Sequence, residues 1–258
     1  MNISSSKVKV YKACKRLYFF KYVENLEYIQ TIQTLEDGKT YHSKIEQLYN
    51  EGNFDIDEEN PKISAMACAY QKYIYPQFKV SRAEEWFEMK LTPTHTLVGR
   101  FDGIAEDGFV VEHKTTSADV DDEYIYNLQW DEQVLNYMLA SGKNKIYYTV
   151  CKKPTIRQKQ NENAEEFLNR CIAWYDEDTD KKIRVISVER SEKEIAEQKE
   201  ALKAIARDIV TTEKKGERAF YRNQSHCTCY GRRCEFASIC LDYDPKLEYV
   251  EFKKKENL

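Results

Sequence analysis

The sequence is poor in the features that most readily assign a chain to a class. Its 258 residues include only 8 glycines and 5 prolines, with no Gly/Ser linker, low-complexity tract or internal repeat. That excludes repeat arrays and strings of tethered modules, and favours one integrated domain over 1–258. Apolar runs are far too short to span a bilayer, so no membrane partner is expected. The opening "MNISSSKVKVY" lacks the apolar centre of a signal peptide, which predicts a cytoplasmic protein. A net charge of −4 advertises no polyanion partner for the chain as a whole.

Cysteine runs against this sparseness. Eight cysteines without an export signal argue for thiols or metal ligands rather than disulfides, and those at 227, 229, 234 and 240 crowd into one short stretch. Basic charge is also unevenly placed. Residues 1–23 carry Lys7, Lys9, Lys12, Lys15, Arg16 and Lys21 with no acid. Residues 214–233 carry Lys214, Lys215, Arg218, Arg222, Arg232 and Arg233 against Glu217 alone. Either stretch alone reads as a solvated basic face.

Periodicity predicts an α/β protein. An opening helix is expected through "VYKACKRLYFFKY", and a second over "EDGKTYHSKIEQLYNEG" with Tyr41, Ile45, Leu48 and Tyr49 as its apolar stripe. Asn60 and Pro61 are expected to cap and start a third, which should stop before Pro76. Strands follow at "WFEMKL", "TLVGRFDGI" and "FVVEHKTT", the last two joined by the turn "AEDG". A helix through "NLQWDEQVLNYMLASG" should end at Gly142, before a strand at "KIYYTVCKK". "AEEFLNRCIAWYDE" reads as helix, "KIRVISVER" as strand, and the helix from Ser191 opens on a Ser191/Glu194 capping box. The order implies a mixed central sheet flanked by helices.

The chemistry concentrates in "VVEHKTT". Side chains alternate across a strand, so Glu112 and Lys114 share one face while Val111 and His113 take the other. A hairpin of this spacing sets Asp102 beside Glu112. Two carboxylates that close repel unless a cation lies between them, and hard oxygen ligands suit Mg²⁺ or Mn²⁺. Lys114 could then hold a phosphate oxygen or orient an attacking water. The triplet alone is a weak signal.

"GRFDGI…VVEHKTT…QWDEQVLNY" resembles the core of the PD-(D/E)XK nuclease superfamily in its RecB/AddB-like branch. That branch has a helical His, then G-x-x-D, E-x-K and Q-x-x-x-Y. Here His42, Gly99 to Asp102, Glu112 to Lys114, and Gln133 to Tyr137 stand in that order. The resemblance implies a restriction-endonuclease-like fold and a Mg- or Mn-dependent DNA exonuclease. Asp102, Glu112, His42 and the His113 backbone carbonyl would hold one or two ions. Lys114 would complete the electrostatic clamp, with Gln133 and Tyr137 supporting the catalytic groups or touching DNA.

It also reaches the cysteines. Some members carry an iron–sulfur (4Fe-4S) cluster on one N-terminal and three C-terminal cysteines. Here these correspond to Cys14, Cys234, Cys240 and either Cys227 or Cys229, joining segments 1–35 and 214–240 as a staple before a 241–258 tail. Zinc is the alternative, although it favours C-x₂-C spacings that are absent here. The implied substrate is DNA, single-stranded or with free ends, in phage or mobile-element recombination, repair or DNA processing. The location would then be the bacterial host cytoplasm if the chain is phage-encoded, and recombination or CRISPR-adaptation protein partners and an oligomer are compatible with this. A catalytically silent nucleic-acid-binding or assembly subunit that keeps the fold is the competing reading. His95 and His226 read as loop residues, although His226 beside Cys227 could ligate zinc; Glu46 reads as a surface charge, and Cys68, Cys151 and Cys171 as small buried hydrophobes.

Overall fold

A computed structural model of the chain describes residues 1–29, 33–229, 232–241 and 252–255; most of the 241–258 tail lies outside the described residues. The chain opens with β1 (Asn2–Ile3), α1 (Ser5–Ala13), α2 (Lys15–Tyr18), a π-helical turn (Phe19–Val23) and β2 (Leu26–Tyr28). Next come α3 (Gln33–Glu51), α4 (Pro61–Tyr73), β3 (Val80–Thr92), β4 (His95–Ala105) and β5 (Val110–Thr116). Then follow α5 (Asp122–Leu128), α6 (Glu132–Ser141), β6 (Lys145–Lys152), α7 (Ala164–Ala173), β7 (Ile183–Glu189) and α8 (Glu192–Lys214). The end carries β8 (Thr228–Cys229), β9 (Arg232–Arg233), α9 (Ala237–Leu241) and β10 (Phe252–Lys254). Contacts divide the chain into two compact units, one of residues 1–32, 89–98 and 199–258, the other of residues 33–88 and 99–198.

The second unit holds the mixed sheet. β4 and β5 form the expected antiparallel hairpin, with Gly103 opposite Val111. β5 runs parallel to β6, with Glu112 opposite Tyr148 and His113 opposite Thr149, and β7 pairs antiparallel with β6. β3 pairs with β4. On one face Val110, Ile146, Tyr148 and Val150 pack with Val134, Tyr137 and Met138 of α6. On the other, Cys151 and Ile183 pack with Tyr41, Ile45 and Leu48 of α3 and Met66 and Tyr70 of α4. Burying each such side chain contributes about 1.5–3 kcal/mol, so the sheet is clamped between helical layers. Gly99 is required at its position, because a Cβ there would meet the Phe87 ring at 2.6 Å. That close approach lets Phe87 stack on Phe101 at 4.4 Å between centroids.

Three expected helices differ. The one through 127–142 is two: Asp131 accepts from the Gln133 amide at 3.0 Å and starts α6 afresh, while Gly142 ends it at φ +67° as anticipated. The opening helix breaks at Cys14, which is extended (φ −162°, ψ 121°). Helix α7 ends at Ala173 and tightens into a 3₁₀ turn. Asn60 precedes Pro61 as expected, but its side chain accepts no capping hydrogen bond; its Nδ2 donates to Asp37 Oδ1 at 3.2 Å. The capping box at Ser191 forms, with the Ser191 amide donating to Glu194 Oε2 at 2.9 Å and the Glu194 amide to Ser191 Oγ at 3.3 Å.

In the first unit, β1 pairs in parallel with the start of β4 at Thr96 and Leu97. Its core joins Tyr11, Leu17, Phe19 and Phe20 to Ile209, Phe220, Phe236 and Ile239.

Candidate metal centre and active site

The β4–β5 hairpin builds the site. Asp102 and Glu112 face each other across it, one residue beyond the Gly103–Val111 pair. The His113 backbone amide donates to Asp102 Oδ2 at 2.7 Å, an anchor that spacing arguments did not anticipate. His42, from α3, brings Nδ1 to 3.5 Å from Asp102 Oδ1. Burial opposes ionisation of Asp102, but the hydrogen-bonded and charged His42 and the His113 amide win and hold its carboxyl down at about 2. The same ion pair raises the His42 pKa against the effect of its burial.

Glu112 has the opposite environment. Its side chain is 6% exposed, and burial with the Asp102 charge pushes its pKa up to about 8 despite Lys114. Oε1 accepts from Lys114 Nζ at 2.8 Å, while Oε2 is buried with no hydrogen-bond partner. Lys114 also donates to Gln133 Oε1 at 3.1 Å and lies 3.6 Å from Asp131 Oδ2. Burial works against its charge, yet Glu112 and Asp131 raise its pKa, so it stays an ammonium. Gln133 donates to Tyr137 Oη at 2.6 Å, and Tyr137 donates to the Arg100 carbonyl at 3.0 Å. Tyr148 donates to Asp131 Oδ2 at 2.9 Å. His42 and the His113 amide thus meet at Asp102, while Glu112, Gln133 and Tyr137 are linked through Lys114 and Gln133.

The His113 ring points to the other sheet face, as alternation requires. There its Nδ1 meets Thr149 Oγ1 at 2.6 Å and its ring packs on Tyr49 and Tyr70. Burial lowers its pKa to about 4 and keeps it neutral.

Glu84 was not anticipated. Among the described residues, the one group of three ligating side chains whose ligand atoms all lie within 4.8 Å of one another is His42, Glu84 and Asp102. Glu84 sits on β3 at φ +53°, a left-handed conformation rare for a non-glycine residue and typical of functional strain. Burial raises its pKa, the paired Arg100 opposes this, and Asp102 and Glu46 add to it. "SRAEEWFEMK" offers three glutamates, and only their position along a conformationally irregular strand separates Glu84 from its neighbours.

Two carboxylates and an imidazole gathered around one point, beside a buried Glu112 oxygen with no partner, fit a hard divalent cation.

The first unit holds the cysteines. Cys14, Cys227, Cys234 and Cys240 line one cavity together with Leu17, Phe20 and Phe236. The helix break places Cys14 there, where its Sγ accepts from the Asn223 amide at 3.3 Å. The Cys234 amide donates to the Cys227 carbonyl at 2.9 Å, which brings these two positions together. Burial raises the Cys240 thiol pKa, with Arg222 and Arg16 opposing and the Cys14 and Cys227 charges adding. Four thiols lining one cavity are the kind of soft donor set that thiophilic metal centres use. The Cys229 side chain lies outside the described residues.

The sequence profile of the PD-(D/E)XK nuclease superfamily matches residues 57–241, well over half of the chain. The protein belongs to this superfamily. The matched span contains Glu84, Asp102, Glu112, Lys114, Gln133 and Tyr137, whereas Cys14 and His42 precede it. Among solved structures, an alkaline exonuclease from Laribacter hongkongensis is 11% identical over 83% of this chain and 92% of its own, with a TM-score of 0.38. A phage related exonuclease from Haemophilus somnus 129PT is 12% identical over 72% of this chain and 90% of its own, with a TM-score of 0.36. No curated protein matches the sequence. No helix among the described residues is long and apolar enough to cross a membrane.

Proposed function

We propose that the protein is a Mg²⁺- or Mn²⁺-dependent DNA exonuclease of the RecB/AddB-like branch, acting in recombination, repair or DNA processing. The observation that carries the reading is the buried pairing of Lys114 with Glu112 beside the Asp102–His42–Glu84 group. A catalytically silent relative has no chemical need for a buried carboxylate with an open oxygen next to a positioned ammonium.

Asp102, Glu112, His42 and Glu84 would hold the cation, with the His113 carbonyl as a further ligand. A bound divalent ion would lower the pKa of a water and offset charge on the leaving oxygen. Lys114, held by Glu112 and Gln133 and flanked by Asp131, presents a fixed positive charge to the scissile phosphate. Tyr137 locks Gln133 to the β4 backbone and so sets the ammonium's position.

In the first unit we propose that Cys14, Cys227, Cys234 and Cys240 hold a 4Fe-4S cluster. The four line one cavity with Leu17, Phe20 and Phe236, and their sequence spacings lack the C-x₂-C pairs that zinc favours. The basic stretches 1–23 and 214–233 belong to this same unit and offer a positive surface to the phosphate backbone.

The reading is tested with end-labelled linear and covalently closed circular single-stranded DNA in Mn²⁺. The linear strand should be degraded and the circle should persist. Equal loss of the circle would refute exonuclease action, and survival of both would leave a silent binding subunit.

A further inference from the structure

Trp86 and Trp130 are the two most exposed large hydrophobic side chains among the described residues, at 74% and 73%. Scattered exposed apolar residues are ordinary, but two nearly free indoles are not, since indole is among the costliest groups to leave in water. Both border the site just described. Arg100 pairs with Glu84 and lays its guanidinium over the Trp86 ring, 5.7 Å from the centroid. Arg100 itself is half exposed and stands two residues before Asp102 on β4. Trp130 immediately precedes Asp131, the neighbour of Lys114, and meets the exposed Tyr126 ring edge-on at 6.1 Å.

Each end of the site is therefore fringed by an aromatic–partner pair. Trp86 with Arg100 lies at the Glu84 end, and Trp130 with Tyr126 lies at the Lys114 end. The Arg100 guanidinium, the group of the four best suited to read a base edge, is already engaged by Glu84. What the pairs offer is flat π-surface and one cation, the chemistry that stacks unpaired bases without regard to sequence. A duplex keeps its base faces covered and cannot use them.

We infer that Trp86/Arg100 and Trp130/Tyr126 are base-stacking platforms that hold unpaired nucleotides on either side of the scissile phosphate, making single-stranded DNA the preferred substrate. This rests on the nuclease reading for the position of the scissile phosphate, but the platforms are testable through binding alone.

The test measures fluorescence anisotropy of a labelled fifteen-thymidine strand, an abasic strand of the same length, and a duplex, in EDTA so that nothing is cleaved. Stacking is worth about 1–3 kcal/mol per base, so Trp86→Ala and Trp130→Ala should each weaken binding of the thymidine strand about 5- to 150-fold. Neither should alter binding of the abasic strand or the duplex, and Trp86→Phe and Trp130→Phe should restore most of the loss. Unchanged thymidine binding, or equal losses on the abasic strand or duplex, would overturn the inference. Cleavage by the wild type in Mn²⁺ is scored separately. Cleavage without tryptophan-dependent binding sinks the platforms alone, whereas tryptophan-dependent binding without cleavage sinks the nuclease reading alone.

Discussion

Glu112→Gln should stabilise the metal-free protein at alkaline pH. In the fold the Glu112 carboxyl is buried beside Asp102, which lifts its pKa from 4.5 to about 8. Between those values the folded state keeps a proton that the unfolded chain has released, so folding stability falls as pH rises through the window. A full proton difference is worth about 1.4 kcal/mol per pH unit. Relaxation and water penetration around the buried carboxyl reduce this to about 2–3 kcal/mol between pH 5 and 8, or about 4–12 °C in Tm for a chain of this size. The depressed Asp102 acts outside the window, because its contribution is lost only as pH falls toward about 2. The raised His42 loses its contribution in the same direction as Glu112; it remains in the variant, held up mainly by Asp102 with a smaller part from Glu112, so the difference between proteins reports Glu112 together with that coupling. Thermal unfolding in EDTA should show a steeper alkaline decline for wild type than for Glu112→Gln. Mn²⁺ should offset this at pH 8 more strongly for wild type than for the variant, since metal binding favours the ionised carboxylate. Parallel pH profiles for the two proteins would refute the argument.

Substitutions at three other positions probe separate parts of the account. Asp131→Ala removes the cap of α6 and the partner of the Tyr148 hydroxyl; about 1–3 kcal/mol should be lost in urea unfolding, with Asp131→Asn recovering the cap but not the field on Lys114. Glu84→Gln should weaken Mn²⁺ binding about 10- to 100-fold by calorimetry, and an unchanged affinity would remove Glu84 from the ligand set. Anaerobically prepared protein should be brown, and Cys14→Ser should lose the colour. If disulfide loop-closure entropy transfers to a cluster, about 4–5 kcal/mol of stability should go with it. Colourless protein with stoichiometric zinc would contradict the cluster.

Much of the site was legible because hairpins and alternation are local. The turn "AEDG" between two apolar runs fixes which residues of β4 and β5 meet, so Asp102 and Glu112 could be paired from spacing alone. The shared face of Glu112 and Lys114 followed from the strand period, and Lys114 does reach Gln133 on α6 while His113 turns to α3 and α4. Glu84 was invisible because its role depends on a positive φ and on Arg100, neither of which has a periodic signature. The break before α6 was missed because apolar spacing runs through it, although Asp131 followed by Glu132 and Gln133 is a sound helix start. The extended Cys14 was hidden in the same way, inside a stretch whose aromatic pattern reads as continuous helix.

The central claim is that Asp102 and Lys114 drive metal-dependent phosphodiester hydrolysis. Its most direct test is the single-turnover rate on an end-labelled single strand in Mn²⁺ for wild type, Asp102→Ala and Lys114→Ala, with the fold of each verified by circular dichroism. The account predicts cleavage by wild type that EDTA abolishes, and losses of about 10²- to 10⁴-fold in each variant. Equal rates in all three proteins would contradict it.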